Sequence, residues 1–238
     1  DLNEDLVLIR ALRDSNVPKF LADDLPLFAA IVQDLFPGVE IPPNDYGEFQ
    51  VAMEEELARG GLQQVPGFHK KIIQMYDIFC IRFGATLVGP TGSGKSSCYR
   101  MLANIMTNLR VQRNSPDQNY QEVKYRVLNP KCIRMGELYG EVNEMTQEWK
   151  DGLASTIMRE AVGESDITRR WTVFDGPIDA IWIENMNTVL DDNMTLCLAN
   201  GERIKLKVEM KMLFEVMDLA VASPATVSRI GVVYMTPT

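Results

Sequence analysis

The sequence holds a single histidine, His69, and four widely spaced cysteines, Cys80, Cys98, Cys132 and Cys197, with no C-x-x-C pair. That pattern argues against a zinc site or a disulfide framework, so four reduced, mostly packed thiols are expected. No apolar run approaches the roughly 20 residues that span a bilayer. The acidic start Asp1-Leu2-Asn3-Glu4-Asp5 is not that of a signal peptide. A cytosolic protein without membrane contact is the expectation. An excess of basic charge is also missing: the net charge is −9, and residues 1–60 hold thirteen acidic against four basic side chains. Residues 61–238 hold twenty of each. Without a basic stripe to track phosphates, nucleic acid is not an expected ligand, and the acid-rich quarter reads as a solvated helical face. His69 precedes Lys70 and Lys71 near a helix start and is assigned no catalytic role. No internal repeat or low-complexity segment is visible.

What is present is an ordinary globular composition over 238 residues, 46% apolar and 24% charged. That length suits one large α/β domain, or one domain plus a fragment of another. Residues 4–14 and 24–36 show helical spacing, with a stop near Ser15-Asn16-Val17-Pro18 and breaks at Pro37-Gly38 and Pro42-Pro43. Asn44-Asp45 is a candidate cap for a third helix ending before Gly60-Gly61, and a fourth runs over 66–82. Beyond residue 84 strands alternate with helices, which predicts a parallel sheet of five strands near 85–88, 123–128, 171–174, 212–217 and 232–235. Residues 151–163 and 180–190 are expected helices. Two excursions, 131–150 and 194–210, exceed a minimal unit, and Asn200-Gly201 in the second is a hairpin turn signal.

Chemistry concentrates in Gly89-Pro90-Thr91-Gly92-Ser93-Gly94-Lys95-Ser96, which fits the phosphate-loop pattern G-x-x-x-x-G-K-[ST] between a predicted strand and a predicted helix. Backbone N–H groups through Ser97 would face phosphate oxygens, with the helix N-terminus adding positive potential. Lys95 would reach the β- and γ-phosphates, and the Ser96 hydroxyl would ligate Mg²⁺. A second element should end a neighbouring strand in an acid that orients the metal, and Trp171-Thr172-Val173-Phe174-Asp175 fits. The next residue in such ATPases is often a glutamate that polarises water; here it is Gly176, then Pro177. The site therefore suits Mg²⁺ with ATP or ADP but lacks the usual base, and Asp179 and Glu184 are the nearest replacement carboxylates.

These residues carry a family resemblance over essentially the whole chain. Leu138-Tyr139-Gly140, Glu148-Trp149-Lys150-Asp151-Gly152, the run from Phe174-Asp175-Gly176-Pro177 through Ile183-Glu184-Asn185-Met186-Asn187 to Asp191-Asp192-Asn193, and Ala222-Ser223-Pro224-Ala225-Thr226-Val227-Ser228-Arg229 resemble the second AAA+ module of a dynein heavy chain, of axonemal type. The resemblance implies an AAA+ P-loop large domain: a five-stranded parallel sheet flanked by helices, with inserted β-hairpins. Residues 1–36 look like the helical junction leaving the preceding module's lid, and 37–238 like the large α/β domain without its own lid. It further implies a segment of an ATP-driven, minus-end-directed microtubule motor. Its partners would be the neighbouring modules and linker, then intermediate chains, light chains and microtubules through the rest of the motor, in the cytoskeleton of the cytoplasm or the ciliary axoneme. This module would hold ATP with little or no turnover. Arg229, just before the last strand, stands where AAA+ modules place an arginine finger that faces the preceding module's nucleotide; the alternative is pairing with a local carboxylate. Asn185, Asn187 and Asp218 are polar residues at expected sheet ends, with Asp218 at the expected sensor position. Two other readings remain open: a self-contained P-loop ATPase or kinase, and a structural ring segment with an empty loop.

Overall fold

The hydrophobic period changes from helical to alternating near residue 84. The computed structural model, which describes residues 4–16, 24–39 and 46–236, changes with it. Helices α1 (Glu4–Asn16), α2 (Leu25–Leu35), α3 (Gly47–Arg59) and α4 (Pro66–Ile81) come first. The chain divides into two compact units, Asp1–Gly47 and Glu48–Thr238. In the first unit, Ile9 of α1 and Val32 of α2 are buried. Pro26 sits in the first turn of α2, where its missing N–H would have no helical partner in any case. The expected stop at Val17-Pro18, the expected break at Pro42-Pro43 and the expected cap Asn44-Asp45 lie outside the described residues.

In the second unit, β1 (Gly84–Val88) is buried at every position, as a strand covered on both faces must be. The elements that follow are α5 (Lys95–Thr107), β2 (Val123–Leu128), α6 (Met135–Tyr139), β3 (Gly140–Val142), β4 (Trp149–Asp151), α7 (Leu153–Gly163) and β5 (Arg169–Asp175). After these come α8 (Ala180–Glu184), α9 (Asn187–Leu190), β6 (Thr195–Cys197), β7 (Arg203–Lys205), β8 (Met210–Val216), α10 (Pro224–Arg229) and β9 (Gly231–Tyr234). Five strands form one parallel sheet in the order β2-β5-β8-β1-β9. Because β8 enters between β1 and β5, the C-terminal ends of these three strands lie side by side. That edge is where open α/β sheets hold ligands.

Both excursions fold as antiparallel hairpins, β3 with β4 and β6 with β7. Leu138 and Tyr139 from the first and Leu196 and Ile204 from the second join one core cluster with Phe174, Trp182 and Phe214. The Phe174 ring stacks on Phe214 at 5.3 Å and on Trp182 at 5.5 Å. Arg159 of α7 donates to Asp151 of β4 and, at 2.9 Å, to Glu202 beside β7, which ties both hairpins to one helix.

Three expectations are corrected. The single helix over 180–190 is broken into α8 and α9, because Met186 turns fully into the core and Asn187 accepts a hydrogen bond from Thr226 of α10 at 3.0 Å. The helix expected from Asp151 begins at Leu153, since Trp149–Asp151 pairs with β3. Of the four thiols only Cys98 is buried, and burial pushes it up to about 12; Cys80, Cys132 and Cys197 are exposed.

The acid-rich quarter also does more than meet solvent. Glu56 of α3 is only 4% exposed and accepts from Arg59 Nη1 and from Asn108 Nδ2, each at 2.6 Å. Glu55 pairs with Arg113 at 2.6 Å, and Glu48 accepts from Ser115 at 2.8 Å. This face of α3 therefore docks residues 108–115, the π-helical turn Asn108–Gln112 included. Glu56→Ala would strand the buried Asn108 amide, so unfolding of the complete chain should show a loss of about 1–3 kcal/mol. Glu54→Ala on the same helix, where the Glu54 side chain accepts an exposed bond from Gln50 at 3.3 Å and the bond from Gln64 goes to the backbone carbonyl, should stay within about 0.5 kcal/mol. Equal losses from the two would refute the docking role.

Candidate functional site

The phosphate loop leaves β1 between two flanking strands. Gly89 N donates to Val216 O of β8 at 3.2 Å, and Met235 N, just past β9, donates to Val88 O at 2.7 Å. A Cβ on Gly89 would come within 2.2 Å of the Met235 carbonyl oxygen, so close backbone approach requires glycine here. Gly92 and Gly94 both adopt φ +84°, the left-handed region. Pro90 and Thr91 are exposed, Ser93 is buried, and Gly94, Lys95, Ser96 and Ser97 are half-buried. Gly94 caps α5, whose first helical bond runs from Cys98 N to Gly94 O at 2.8 Å. The N–H groups of the preceding first-turn residues, Lys95, Ser96 and Ser97, are thus left for an anion. The Lys95 ammonium donates to the carbonyls of Gly89 at 2.8 Å and Pro90 at 2.9 Å, bracing the loop from inside.

Asp175 ends β5 with its side chain exposed, and its register partner on β8 is Glu215. The Ser96 hydroxyl donates to Glu215 Oε1 at 2.6 Å. Sequence expectations passed over Glu215; its one signal is a lone charge inside the apolar run Met212-Leu213-Phe214-Glu215-Val216. The residue is buried, and its Oε2 has no partner among the described residues. Burial raises its carboxyl above the usual range; the Ser96 bond opposes this, Asp175 adds to it, and Lys95 opposes it.

The residue after Asp175 faces a filled space. Gly176 N donates to Glu215 O at 3.2 Å, and a Cβ on Gly176 would lie 2.9 Å from Asn129 Oδ1. That oxygen is itself held by Lys131 N at 2.9 Å. Of the replacement carboxylates, Asp179 stands just before α8, its carbonyl accepting from Ile183 N at 3.2 Å, and Glu184 is exposed at the far end of that helix.

Arg229 closes α10. Its Nε donates to Asp191, just past α9, and its Nη1 donates to Ala225 O at 2.8 Å. The pairing with a local carboxylate is therefore present, with 32% of the arginine side chain exposed. Asp218 is exposed and accepts from Ala220 N at 3.0 Å in a tight turn, and Asn185 is exposed. His69 hydrogen-bonds Gln64 through Nε2 at 2.8 Å.

A cavity of about 290 Å³ opens on the other side of the loop, lined by Gln63, Val65, Phe68, Gly94, Ser97 and Met235. Its walls come from the α3–α4 connection, the head of α5 and the exit of β9. No one stretch of sequence announces it.

Comparison with known families bears on this geometry. The model of the AAA domain (dynein-related subfamily) matches residues 84–230, spanning four of the five strands of the parallel sheet, β1, β2, β5 and β8, and ending just before β9. The chain belongs to the dynein-related subfamily of AAA domains. A second family model, described as the hydrolytic ATP binding site of the dynein motor region, matches residues 1–96 of this dynein-related AAA domain. That match takes in the phosphate loop and ends before β5. The chain is 56% identical over 237 residues to dynein axonemal heavy chain 6 of Homo sapiens, covering 100% of the chain and 6% of that protein. It is 55% identical over 236 residues to dynein axonemal heavy chain 1 of Homo sapiens, covering 99% and 6%. Dynein axonemal heavy chain 3 of Mus musculus is 46% identical over 233 residues, covering 98% and 6%. This AAA domain thus spans a small part of the length of these relatives, and its phosphate loop is an ATP-binding site.

Proposed function

We propose that this chain is the second AAA+ module of an axonemal dynein heavy chain, that it binds Mg·ATP with little or no turnover, and that it lends Arg229 to the preceding module. Residues 1–36 would be the junction from the preceding lid and 37–238 the large domain. The neighbouring modules and linker of the same chain would be its direct partners. Intermediate chains, light chains and microtubules would be reached through the rest of a minus-end-directed motor in the axoneme.

The observation that carries the low-turnover reading is Gly176 against Asn129. The place of the usual base holds no side chain, and the adjoining space is occupied by an amide fixed to the Lys131 backbone. Lys95 and the N–H groups of residues 92–97 would bind the phosphates, Ser97 at the margin of the cavity that would receive the base. The oxygens of Ser96 and Asp175 suit a hard cation such as Mg²⁺, and the unpartnered Glu215 Oε2 beneath them fits a site completed by positive charge. When bound, Mg²⁺ would neutralise phosphate charge.

Nucleotide held here should exchange intact on the timescale of the motor cycle. Labelled ATP, chased from a complete ring whose other phosphate loops are disabled, should be recovered unhydrolysed. Rapid appearance of ADP would overturn the reading and direct attention to Asp179 or Glu184 as base. Gly176→Glu would bring its Cβ within 2.9 Å of Asn129 Oδ1, so turnover in that variant requires the Asn129 amide to swing away from Lys131 N.

A further inference from the structure

Ser96 can donate one proton, and it gives that proton to Glu215. The hydroxyl's lone pairs are then turned away from the carboxylate and available to a cation. Glu215 lies one strand from Asp175, in register with it, and parallel strands stand about 4.8 Å apart. Two carboxylates therefore share one corner of the loop, one exposed and one buried with a free oxygen. The fold does not need an acid at this position: the register neighbour on β1 is Leu87, and the adjoining strand residues Phe214 and Val216 are apolar and buried. A buried acid with an unsatisfied oxygen costs stability unless something completes it.

We infer that Glu215 is a second carboxylate of the divalent-cation site, a positioning residue that makes nucleotide binding here depend on the cation more steeply than Asp175 alone would. This rests on the reading of the loop as a Mg·nucleotide site. Without a cation, two negative charges face the phosphates and repel them. With one, the pair holds the cation and orients the Ser96 ligand, as outer partners of metal ligands do.

The test measures ATP affinity with Mg²⁺ and with a chelator, in a complete ring whose other phosphate-loop lysines are replaced. In Glu215→Gln, which keeps the acceptor for Ser96 and removes the charge, the enhancement of ATP binding by Mg²⁺ should shrink by about 10- to 100-fold. Metal-free affinity should be unchanged or higher. Glu215→Asp, which keeps the charge, should retain most of the enhancement. If Glu215→Gln lowers affinity equally with and without Mg²⁺, or if Glu215→Asp loses the enhancement as fully as Glu215→Gln, the residue is only structural and the inference fails. If Lys95→Ala leaves ATP affinity of the otherwise wild-type site unchanged, the nucleotide reading of the loop falls and takes this inference with it. Loss of binding in Lys95→Ala with no change in Glu215→Gln sinks the Glu215 role alone.

Discussion

Arg229→Ala is expected to slow ATP hydrolysis at the preceding module by about 10³- to 10⁵-fold, while nucleotide binding at Lys95 and Ser96 changes little. A guanidinium aimed at the γ-phosphate of a neighbouring site stabilises charge that develops mainly in the transition state, so its loss falls on turnover rather than on binding. Arg229 is held at the end of α10 by Asp191 and the Ala225 carbonyl, which fixes the side chain without burying it. Fixing of this kind suits a finger, since a planar fork already oriented loses little freedom on engagement. It equally describes a surface ion pair, worth about 0–1 kcal/mol. Single-turnover hydrolysis at the preceding module separates the two. A drop of orders of magnitude in Arg229→Ala, with a much smaller one in Asp191→Ala, supports the finger. Unchanged turnover, with normal gliding on microtubules, makes Arg229 a structural residue.

Lys95→Ala should cost at least about 2 kcal/mol of ATP binding at this site, the scale of a lost charge-assisted contact. Lys95 is the loop's own cation, and it reaches across the loop to two carbonyls. Engagement with phosphate oxygens would exchange those neutral acceptors for charged ones. The alanine variant loses both the phosphate contact and the brace, and the helix N-terminus alone must hold the phosphates. Quantitative equilibrium binding in the complete ring, with other sites disabled, reads the change. Equal nucleotide retention by variant and wild type would show that Lys95 does not meet the phosphates.

Sequence alone determined the five strands, the phosphate loop with its strand before and helix after, Asp175 at the end of its strand, and the glycine that follows it. Each of those is encoded in a few consecutive residues, through alternation, glycine placement or a motif, so local physics sufficed. The hairpin signal at Asn200-Gly201 was legible for the same reason, and β6 and β7 flank it. What failed locally was what the core overrides. The helix over 180–190 has continuous periodicity, yet Met186 and Asn187 are drawn to different partners and split it. The acids of α3 read as solvated because their partners at 108–115 lie more than fifty residues away.

Only the tertiary structure decided which groups share the nucleotide corner. Ser96 and Glu215 are 119 residues apart, and they meet because β8 enters the sheet between β1 and β5. Asn129 reaches Gly176 because β2 and β5 pair in parallel and end together. The cavity beside the loop needs three separate segments, and Arg229 finds Asp191 through the packing of α10 on α9. Strand order and side-chain encounter are products of the whole fold, whereas a phosphate loop is a property of eight consecutive residues.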